Sequence, residues 1–318
     1  MMRVTGAIAR ISERLTLSVS MKTFVTEQHA APSDHAATTV LSRQNESNAA
    51  ARSREGNKRL VFSIVIPCFN AEPYLAETLE SVLRQRYGDF EVLIVDDAST
   101  DRTVQIAQSY AKRDKRISVI TFEKRSGGPS VPRNRGILES RGDYVALLDA
   151  DDIWNPDKLL NDADFLNTHS ADILFSGAYY FRERTDHILR VHPPRRIGWT
   201  FQFRNAIPIL TACIKRDLFT KHNLYFSTDP ILHEDYHLFL NAYLKGAKIV
   251  CRPGIDSYYR MQAISSRFWR EGFAGIMRRH IYTLTKVACE HRFGPPKLLS
   301  TLVMCVSMLC LKRLTRRM

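Results

Sequence analysis

Uninterrupted apolar runs alternate with segments of helical periodicity along the first half of the chain. The apolar runs predict buried strands over 61–66, 90–95, 117–122 and 144–148. Apolar residues at helical spacing predict helices over 72–87, 99–112 and 131–140. Strands of this kind joined by helices indicate an α/β fold with a Rossmann-like, doubly wound sheet.

The second half of the chain has a weaker pattern. It predicts a helix over 156–167, a strand over 173–175, hairpins or loops over 178–210, and helices over 217–222 and 234–244. The stretch 268–318 is typical of two helices broken at Gly294-Pro295-Pro296.

Three of the predicted strands end in polar segments, at 67–70, 96–97 and 149–152. Ligands bind beyond the carboxyl ends of parallel strands, so these segments should converge on one crevice. Carboxylates gathered there repel one another unless a divalent cation neutralises them, and oxygen ligands favour Mg²⁺ or Mn²⁺. The triplet Asp149-Ala150-Asp151 is weak evidence alone, because an acidic turn before a helix looks the same.

The positive charge of the chain lies at its ends. The 318 residues carry a formal net charge of +13, of which residues 1–59 hold +4 and residues 267–318 hold +9. Residues 60–266 contain 26 basic and 26 acidic side chains. A nucleic-acid platform would carry its charge on the folded face, so we expect no nucleic-acid partner.

Several common motifs are absent from the sequence. Neither GxGxxG nor GxxxxGKS/T occurs, which excludes an ordinary Rossmann dehydrogenase and a P-loop NTPase. The six cysteines lack CxxC pairs and zinc spacing, so we expect reduced thiols. Residues 1–21 have no apolar signal-peptide core, and residues 27–59 have the composition of a disordered tail.

Four motifs occur in a fixed order at Val65–Asn70, Val95–Asp101, Arg133–Ile137 and Leu148–Asp152. Together they resemble family 2 glycosyltransferases over about 62–160, with a weaker match at His233-Glu234-Asp235 and Tyr259-Arg260. The Gly-Gly-Pro loop before Arg133 is similar to bacterial exopolysaccharide glycosyltransferases. The resemblance implies a GT-A fold with a mixed sheet and a C-terminal acceptor and helical region, and inverting transfer from a nucleotide-sugar.

The resemblance also implies a role for each matching residue. The nucleotide base, most often uracil, would lie against Pro67, Phe69, Asn70 and Glu72, and Asp97 would hydrogen-bond its edge. Arg133 and Asn134 would line the donor site, Asp149 would touch the ribose or the donor sugar, and Asp151 would hold Mn²⁺ or Mg²⁺ on the diphosphate.

Asp235 matches the family's general base on the acceptor side. An inverting displacement requires a carboxylate opposite the leaving group to take the proton of the acceptor hydroxyl. The alternative is that Glu234-Asp235 is an acidic pair favoured by the dipole at a helix N-terminus.

Two positions depart from the family pattern. Phe69 stands where the family often has Tyr, and Gln262 stands where it often has His. Glutamine can only hydrogen-bond, so a metal-binding role for this segment is not expected. Arg260 is compatible with either a diphosphate contact or a surface salt bridge.

The basic C-terminus indicates association with a membrane surface. Apolar and basic residues interleave over 268–286, and the uncharged run 298–311 precedes Lys312 and Arg313. Fourteen residues fall short of the roughly 20 that span a bilayer, whereas a helix lying on anionic lipid fits this pattern. The alternative is a core-packing helix with a solvated tail.

We therefore expect a disordered basic tail (1–59), a catalytic domain with a nucleotide-sugar half (60–160) and an acceptor half (161–266), and basic amphipathic helices (267–318). The expected function is metal-dependent transfer of a sugar, from a UDP-sugar to a lipid-linked or polysaccharide acceptor, on the cytoplasmic face of a membrane. The alternatives are a sugar nucleotidyltransferase and a non-enzymatic protein that binds membrane or nucleic acid. A nucleotidyltransferase needs a Gly-rich loop with a basic residue after the first strand, and Pro67-Cys68-Phe69-Asn70 lacks one.

Overall fold

A computed structural model of the chain describes residues 59–181, 187–191, 201, 205–229, 233–261 and 267–291. The predicted tail up to residue 58, Gln262 and the uncharged run 298–311 lie outside these residues.

The strands are β1 (Phe62–Cys68), β2 (Phe90–Asp96), β3 (Ile117–Thr121), β4 (Tyr144–Leu147), β5 (Ile153–Trp154), β6 (Ile173–Phe181), β7 (His187–Val191), β8 (Cys213–Lys215) and β9 (Ile249–Arg260). The helices are α1 (Leu75–Leu83), α2 (Thr103–Arg113), α3 (Ser130–Glu139), α4 (Lys158–Thr168), α5 (Arg216–His222), α6 (Glu234–Leu244) and α7 (Arg267–Glu290).

These strands form one mixed sheet in the order β3-β2-β1-β4-β8-β6-β9-β5, with β7 paired to β6. The first four strands are mutually parallel, and β8 is antiparallel to both β4 and β6. Strand β9 runs parallel to β6. The predicted α/β sheet and the hairpin within 178–210 are confirmed, whereas the sequence pattern did not predict β5, β8 and β9.

Helices cover both faces of the sheet. Phe62, Ile64 and Ile66 of β1 pack in one apolar cluster with residues of α1, α2 and α4, whereas Val65 packs in another with residues of α3, α5 and α6. Alternate side chains of a strand point to opposite faces, so one strand contributes to both clusters. This arrangement leaves the carboxyl ends of β1, β2 and β4 at one edge of the sheet.

A glycine allows α3 to lie close against β1. A Cβ atom at Gly136 would come within 2.5 Å of a methyl group of Val65. Only a residue without a side chain permits this approach. It places Arg133, one turn earlier on α3, beside the ends of the parallel strands.

Among the helices that the structure describes, none combines the length and the hydropathy that crossing a bilayer requires.

Candidate active site

Arg133 links two acidic segments that are far apart in the sequence. Its guanidinium is almost fully buried and donates from Nη2 to Oδ1 of Asp149 at 2.6 Å and from Nη1 to Oε1 of Glu234 at 3.3 Å. The ring of Phe226 lies 5.3 Å from the guanidinium carbon. One buried cation therefore joins the turn after β4 to the first turn of α6.

Asp235 follows Glu234 in that first turn and is partly buried. Its Oδ2 accepts a hydrogen bond from the side-chain amide of Asn205 at 2.8 Å, and its Oδ1 accepts from the backbone N–H of Tyr236 at 2.7 Å. Burial, followed by the charge of Glu234, raises the pKa of Asp235 to about 7. The acidic pair thus does lie at a helix N-terminus, and one of its members has the pKa of a base that works near neutral pH.

Arg260, the last residue of β9, makes two hydrogen bonds to the turn that follows β4. Its backbone N–H donates to Oδ1 of Asp152 and its Nε donates to the carbonyl of Asp151, both at 2.8 Å. Its Nη2 pairs with Glu77 at 2.6 Å, and only 8% of the Arg260 side chain is exposed. Arg260 therefore supports the turn and forms a salt bridge that is buried at the arginine and partly exposed at Glu77. A contact of Arg260 with the diphosphate stays a prediction.

Asp152 differs from its acidic neighbours because it is fully buried. Its Oδ2 has no hydrogen-bond partner among the described residues. Burial, with the charges of Asp151 and Asp149, raises the pKa of Asp152 well above its usual value. Asp149 and Asp151 are partly exposed, so they are the two aspartates of the turn that a ligand can reach.

Two predicted base-binding residues connect the loops after β1 and β2. Asn70, in a left-handed conformation with φ of 48°, accepts the backbone N–H of Thr100 at 2.9 Å. Glu72 accepts both the backbone N–H and the Nε of Arg102, at 2.9 and 2.7 Å. Arg102 thereby lowers the pKa of Glu72. Both side chains therefore join these two loops, which form the rim of the crevice at the carboxyl ends of the strands.

The other predicted base contacts line the same rim. The ring of Phe69 is exposed and lies 3.8 Å from the guanidinium carbon of Arg125. Asp97 is buried and accepts the backbone N–H of Ser126 at 2.7 Å. Pro67 lies beyond the last residue of β1 that pairs with β4, where its missing N–H breaks no bond between these strands.

Asn134 bonds to the backbone of Phe226 on both sides of its amide group. Its side-chain amide donates to the carbonyl of Phe226 at 2.8 Å and its amide oxygen accepts the N–H of the same residue at 2.9 Å. The pair fastens α3 to the segment that carries Phe226, whose ring lies beside Arg133. A donor contact by Asn134 stays a prediction.

Asp149 and Asp151 provide the oxygen ligands that Mg²⁺ and Mn²⁺ prefer. Within the described ranges, no group of three or more His, Cys, Asp or Glu side chains comes together as metal ligands. A cation that bridges a diphosphate needs only one or two carboxylates, because phosphate oxygens and waters complete its shell. The two aspartates fit that donor set.

Sequence reasoning missed Asn205 and Tyr180, and it matched Tyr259 to a family motif without giving it a role. The two tyrosines face each other across the β6–β9 pair with ring centroids 4.9 Å apart. Burial raises the pKa of Tyr180, and the charges of Asp152 and Asp235 raise it further. The Tyr259-Arg260 motif was a signal for one tyrosine, whereas β6 carried no signal for the other.

We expect Arg133→Met to lower the free energy of unfolding by about 2 kcal/mol, because Asp149 and Glu234 would lose their shared cation. Removing one partner of a buried pair costs about 3–5 kcal/mol, and partial exposure of both carboxylates reduces that figure. Arg135→Met is the matched control on the same helix. Arg135 pairs with Glu139 at the surface, and its loss should cost less than about 0.5 kcal/mol. Urea denaturation measures both changes, and equal losses would contradict the bridging role.

Asp149 and Asp151 lie at the carboxyl ends of the parallel strands, and Asp235, a carboxyl group with a raised pKa, lies on a later helix. This organisation is that of a GT-A transferase. The model of glycosyl transferase family 2 matches residues 63–228. The chain belongs to this family.

Relatives in bacteria support the assignment. The chain is 36% identical over 163 residues to the putative teichuronic acid biosynthesis glycosyltransferase TuaG of Bacillus subtilis, a match that covers 51% of this chain and 64% of TuaG. It is 28% identical over 253 residues to the amylovoran biosynthesis glycosyltransferase AmsB of Erwinia amylovora, covering 71% and 82%. The chain therefore spans slightly less than two thirds of TuaG.

Two solved structures share the fold. Staphylococcus aureus TarS 1-349 in complex with UDP-GlcNAc gives a TM-score of 0.61 at 23% identity, covering 78% of this chain and 72% of that one. The mannosyltransferase PcManGT of Pyrobaculum calidifontis, in complex with GDP-Man and Mn²⁺, gives 0.54 at 17% identity, covering 86% and 85%. At these identities the likeness concerns the fold, and the expected GT-A architecture is confirmed.

Proposed function

We propose that this chain is an inverting, metal-dependent glycosyltransferase that moves a sugar from a UDP-sugar to a lipid-linked or polysaccharide acceptor. The observation that carries the proposal is the Arg133 bridge, which holds the Asp149 turn beside the helix that bears Asp235. Relatives named for teichuronic acid and amylovoran biosynthesis favour a polymer acceptor. The TarS complex with UDP-GlcNAc favours a uridine nucleotide.

The reaction is a single displacement at the anomeric carbon. The acceptor oxygen forms a bond to that carbon while the bond from the carbon to the diphosphate breaks, and the electron pair leaves with the diphosphate. Asp235 takes the proton of the acceptor hydroxyl. Asn205 and the N–H of Tyr236 orient its carboxylate, which still has lone pairs for that proton.

Asp149 and Asp151 would hold the divalent cation. When bound, it would neutralise the charge that develops on the departing diphosphate. Arg133 fixes the carboxylate of Asp149 from the protein side, and the fold neighbour that binds Mn²⁺ with GDP-Man is consistent with this assignment.

We also propose that the chain works at the cytoplasmic face of a membrane, bound through its basic end. The support is the +9 charge of residues 267–318 and the uncharged run 298–311. Sedimentation with vesicles tests this directly. Binding to phosphatidylglycerol vesicles that weakens with salt supports the proposal, and equal binding to neutral phosphatidylcholine vesicles, or none to either, contradicts it.

The test of the catalytic proposal is titration calorimetry with UDP, GDP, CDP and dTDP and their sugars, each with and without Mn²⁺. Tight binding of UDP and one UDP-sugar that requires Mn²⁺ is the expected result. In a parallel titration with nucleoside triphosphates and a sugar phosphate, binding with release of pyrophosphate would indicate a nucleotidyltransferase instead. Binding of no nucleotide at all would contradict the proposal.

A further inference from the structure

Helix α7 packs along α6 beyond residue 228, where the family match ends. Leu284 and Val287 of α7 form an apolar cluster with Tyr236 and Leu240 of α6. At the far end, Glu290 accepts the side-chain amide of Asn241 at 3.0 Å and lies 3.1 Å from Nε2 of His237. Apolar and polar contacts along this length join the two helices.

The first turn of α6 is secured by α7. No side-chain hydrogen bond of its own caps α6 at His233. The backbone N–H of His233 instead donates to Oγ1 of Thr283 at 3.1 Å. Thr283 is fully buried, and its hydroxyl donates to the carbonyl of Arg279 at 2.9 Å, which directs its lone pairs towards α6.

Tyr236, the residue after Asp235, is fixed on two sides. Its ring stacks on that of His280 with centroids 5.2 Å apart and an interplanar angle of 2°. Its hydroxyl donates to the carbonyl of Phe201 at 3.1 Å. Since residues on both sides of Asp235 are anchored, the backbone that carries its carboxylate has little freedom to move.

The segment that leads to α6 is anchored by the same helix. Oδ2 of Asp229 accepts the hydroxyl of Tyr282 at 2.9 Å and Nζ of Lys286 at 3.1 Å. Three residues earlier, the backbone of Phe226 is tied to Asn134. Helix α7 and helix α3 therefore hold this segment from its two ends.

We propose that α7 is the element that positions Asp235, with Thr283 and His280 as its positioning residues. The inference rests on the proposed role of Asp235 as general base. A base must lie within hydrogen-bond reach of the proton it removes, and a misplacement of about 1 Å can cost about a hundredfold in rate. Helix α7 and the residue it positions both lie beyond residue 228, where the family match ends.

The test is Thr283→Val with Thr285→Val as matched control, because the hydroxyl of Thr285 donates to the carbonyl of Ile281 on α7 itself. In hydrolysis of the nucleotide-sugar that binds best by calorimetry, we expect T283V to lower kcat about tenfold without changing KM for the donor. T285V should match the natural chain, and Thr283→Ser, which keeps the hydroxyl, should restore the rate.

The rise of activity on the acidic side of the pH profile reports the pKa of Asp235, and a loss of stability alone would not shift it. Glu234, Arg133 and Asp149 face Asp235 from the crevice, and His233 and His280 lie on the α7 side. If the first turn of α6 loosens towards solvent in T283V, the pKa of Asp235 falls and this rise moves to lower pH. His280→Gln, which removes the ring stack, should act in the same direction.

Two results would overturn the positioning role and leave the proposed base intact. One is that T283V equals T285V in kcat and in pH profile while Asp235→Asn is inactive. The other is that T283V loses activity only in proportion to its unfolded fraction, measured by circular dichroism at the assay temperature. If Asp235→Asn itself keeps full activity, the proposed function fails before the positioning role is reached.

Discussion

Asparagine in place of Asp235 is expected to lower kcat by about a hundredfold or more while donor affinity stays within twofold. General-base catalysis contributes about 10²–10⁴ to rate, and an amide cannot accept the proton. The substitution preserves the shape of the side chain, and its single amide oxygen can accept from the N–H of Tyr236 or from Asn205, which donate to different oxygens of Asp235. UDP release measures turnover, and calorimetry measures donor binding.

The control is Asp217→Asn on helix α5. Asp217 makes an exposed i,i+4 pair with Lys221, so its loss should leave turnover unchanged and cost at most about 0.5 kcal/mol in stability. If Asp235→Asn behaves like Asp217→Asn, the carboxyl is not the base. A large loss of donor affinity in Asp235→Asn would instead place Asp235 on the donor side.

Asp151→Asn is expected to remove the Mn²⁺-dependent part of UDP binding and to lower turnover at least a hundredfold. On the proposed function, a bound metal would stabilise the charge on the diphosphate by several kcal/mol, and an amide is a weaker ligand than a carboxylate. Titration of the variant with UDP, with and without Mn²⁺, measures the effect.

Asp157→Asn is the matched control in the following loop, where Asp157 pairs with the largely exposed Arg86 at 3.0 Å. It should bind UDP with the Mn²⁺ dependence of the natural chain. Retention of that dependence by Asp151→Asn would show that the metal is held elsewhere.

The structure of residues 60–160 could be predicted from the sequence because its signals are local. Apolar runs ending in polar segments correctly located the strands β1, β2 and β4, and their parallel order brings Asp97 and Asp149 to one edge. A strand that is buried on both faces of the sheet needs apolar side chains at successive positions, and this requirement produces the apolar run in the sequence.

The structure of residues 161–266 was harder to predict because strand β9 buries charge. Strand β9 contains Arg252, which lies within 2.8 Å of Asp162 and pairs also with Asp256. Asp162 in turn pairs with Lys158, and all four side chains are buried. A strand whose buried charges are neutralised by residues distant in sequence shows no alternation of apolar and polar positions.

The Arg133 bridge was beyond sequence reasoning for a related reason. The motifs suggested that Arg133 and Asp149 lie in one crevice, and an acceptor-side base was expected at Asp235. That Glu234 shares the same guanidinium depends on the packing of α6 against α3, which no local pattern encodes. For Asn70 and Glu72 the motif predicted side chains in the loop after β1, and the structure adds that both bond to the loop after β2.

The pH dependence of kcat/KM for donor hydrolysis tests the central claim most directly, because it reports the pKa of the free enzyme's base. Burial and Glu234 raise the pKa of Asp235 to about 7, so below that pH the carboxyl keeps its proton and cannot act. We predict that kcat/KM rises about tenfold per pH unit up to about pH 7 and then levels, and that this limb is absent in Asp235→Asn. A profile that is flat down to pH 5, or a limb that persists in Asp235→Asn, would contradict the account.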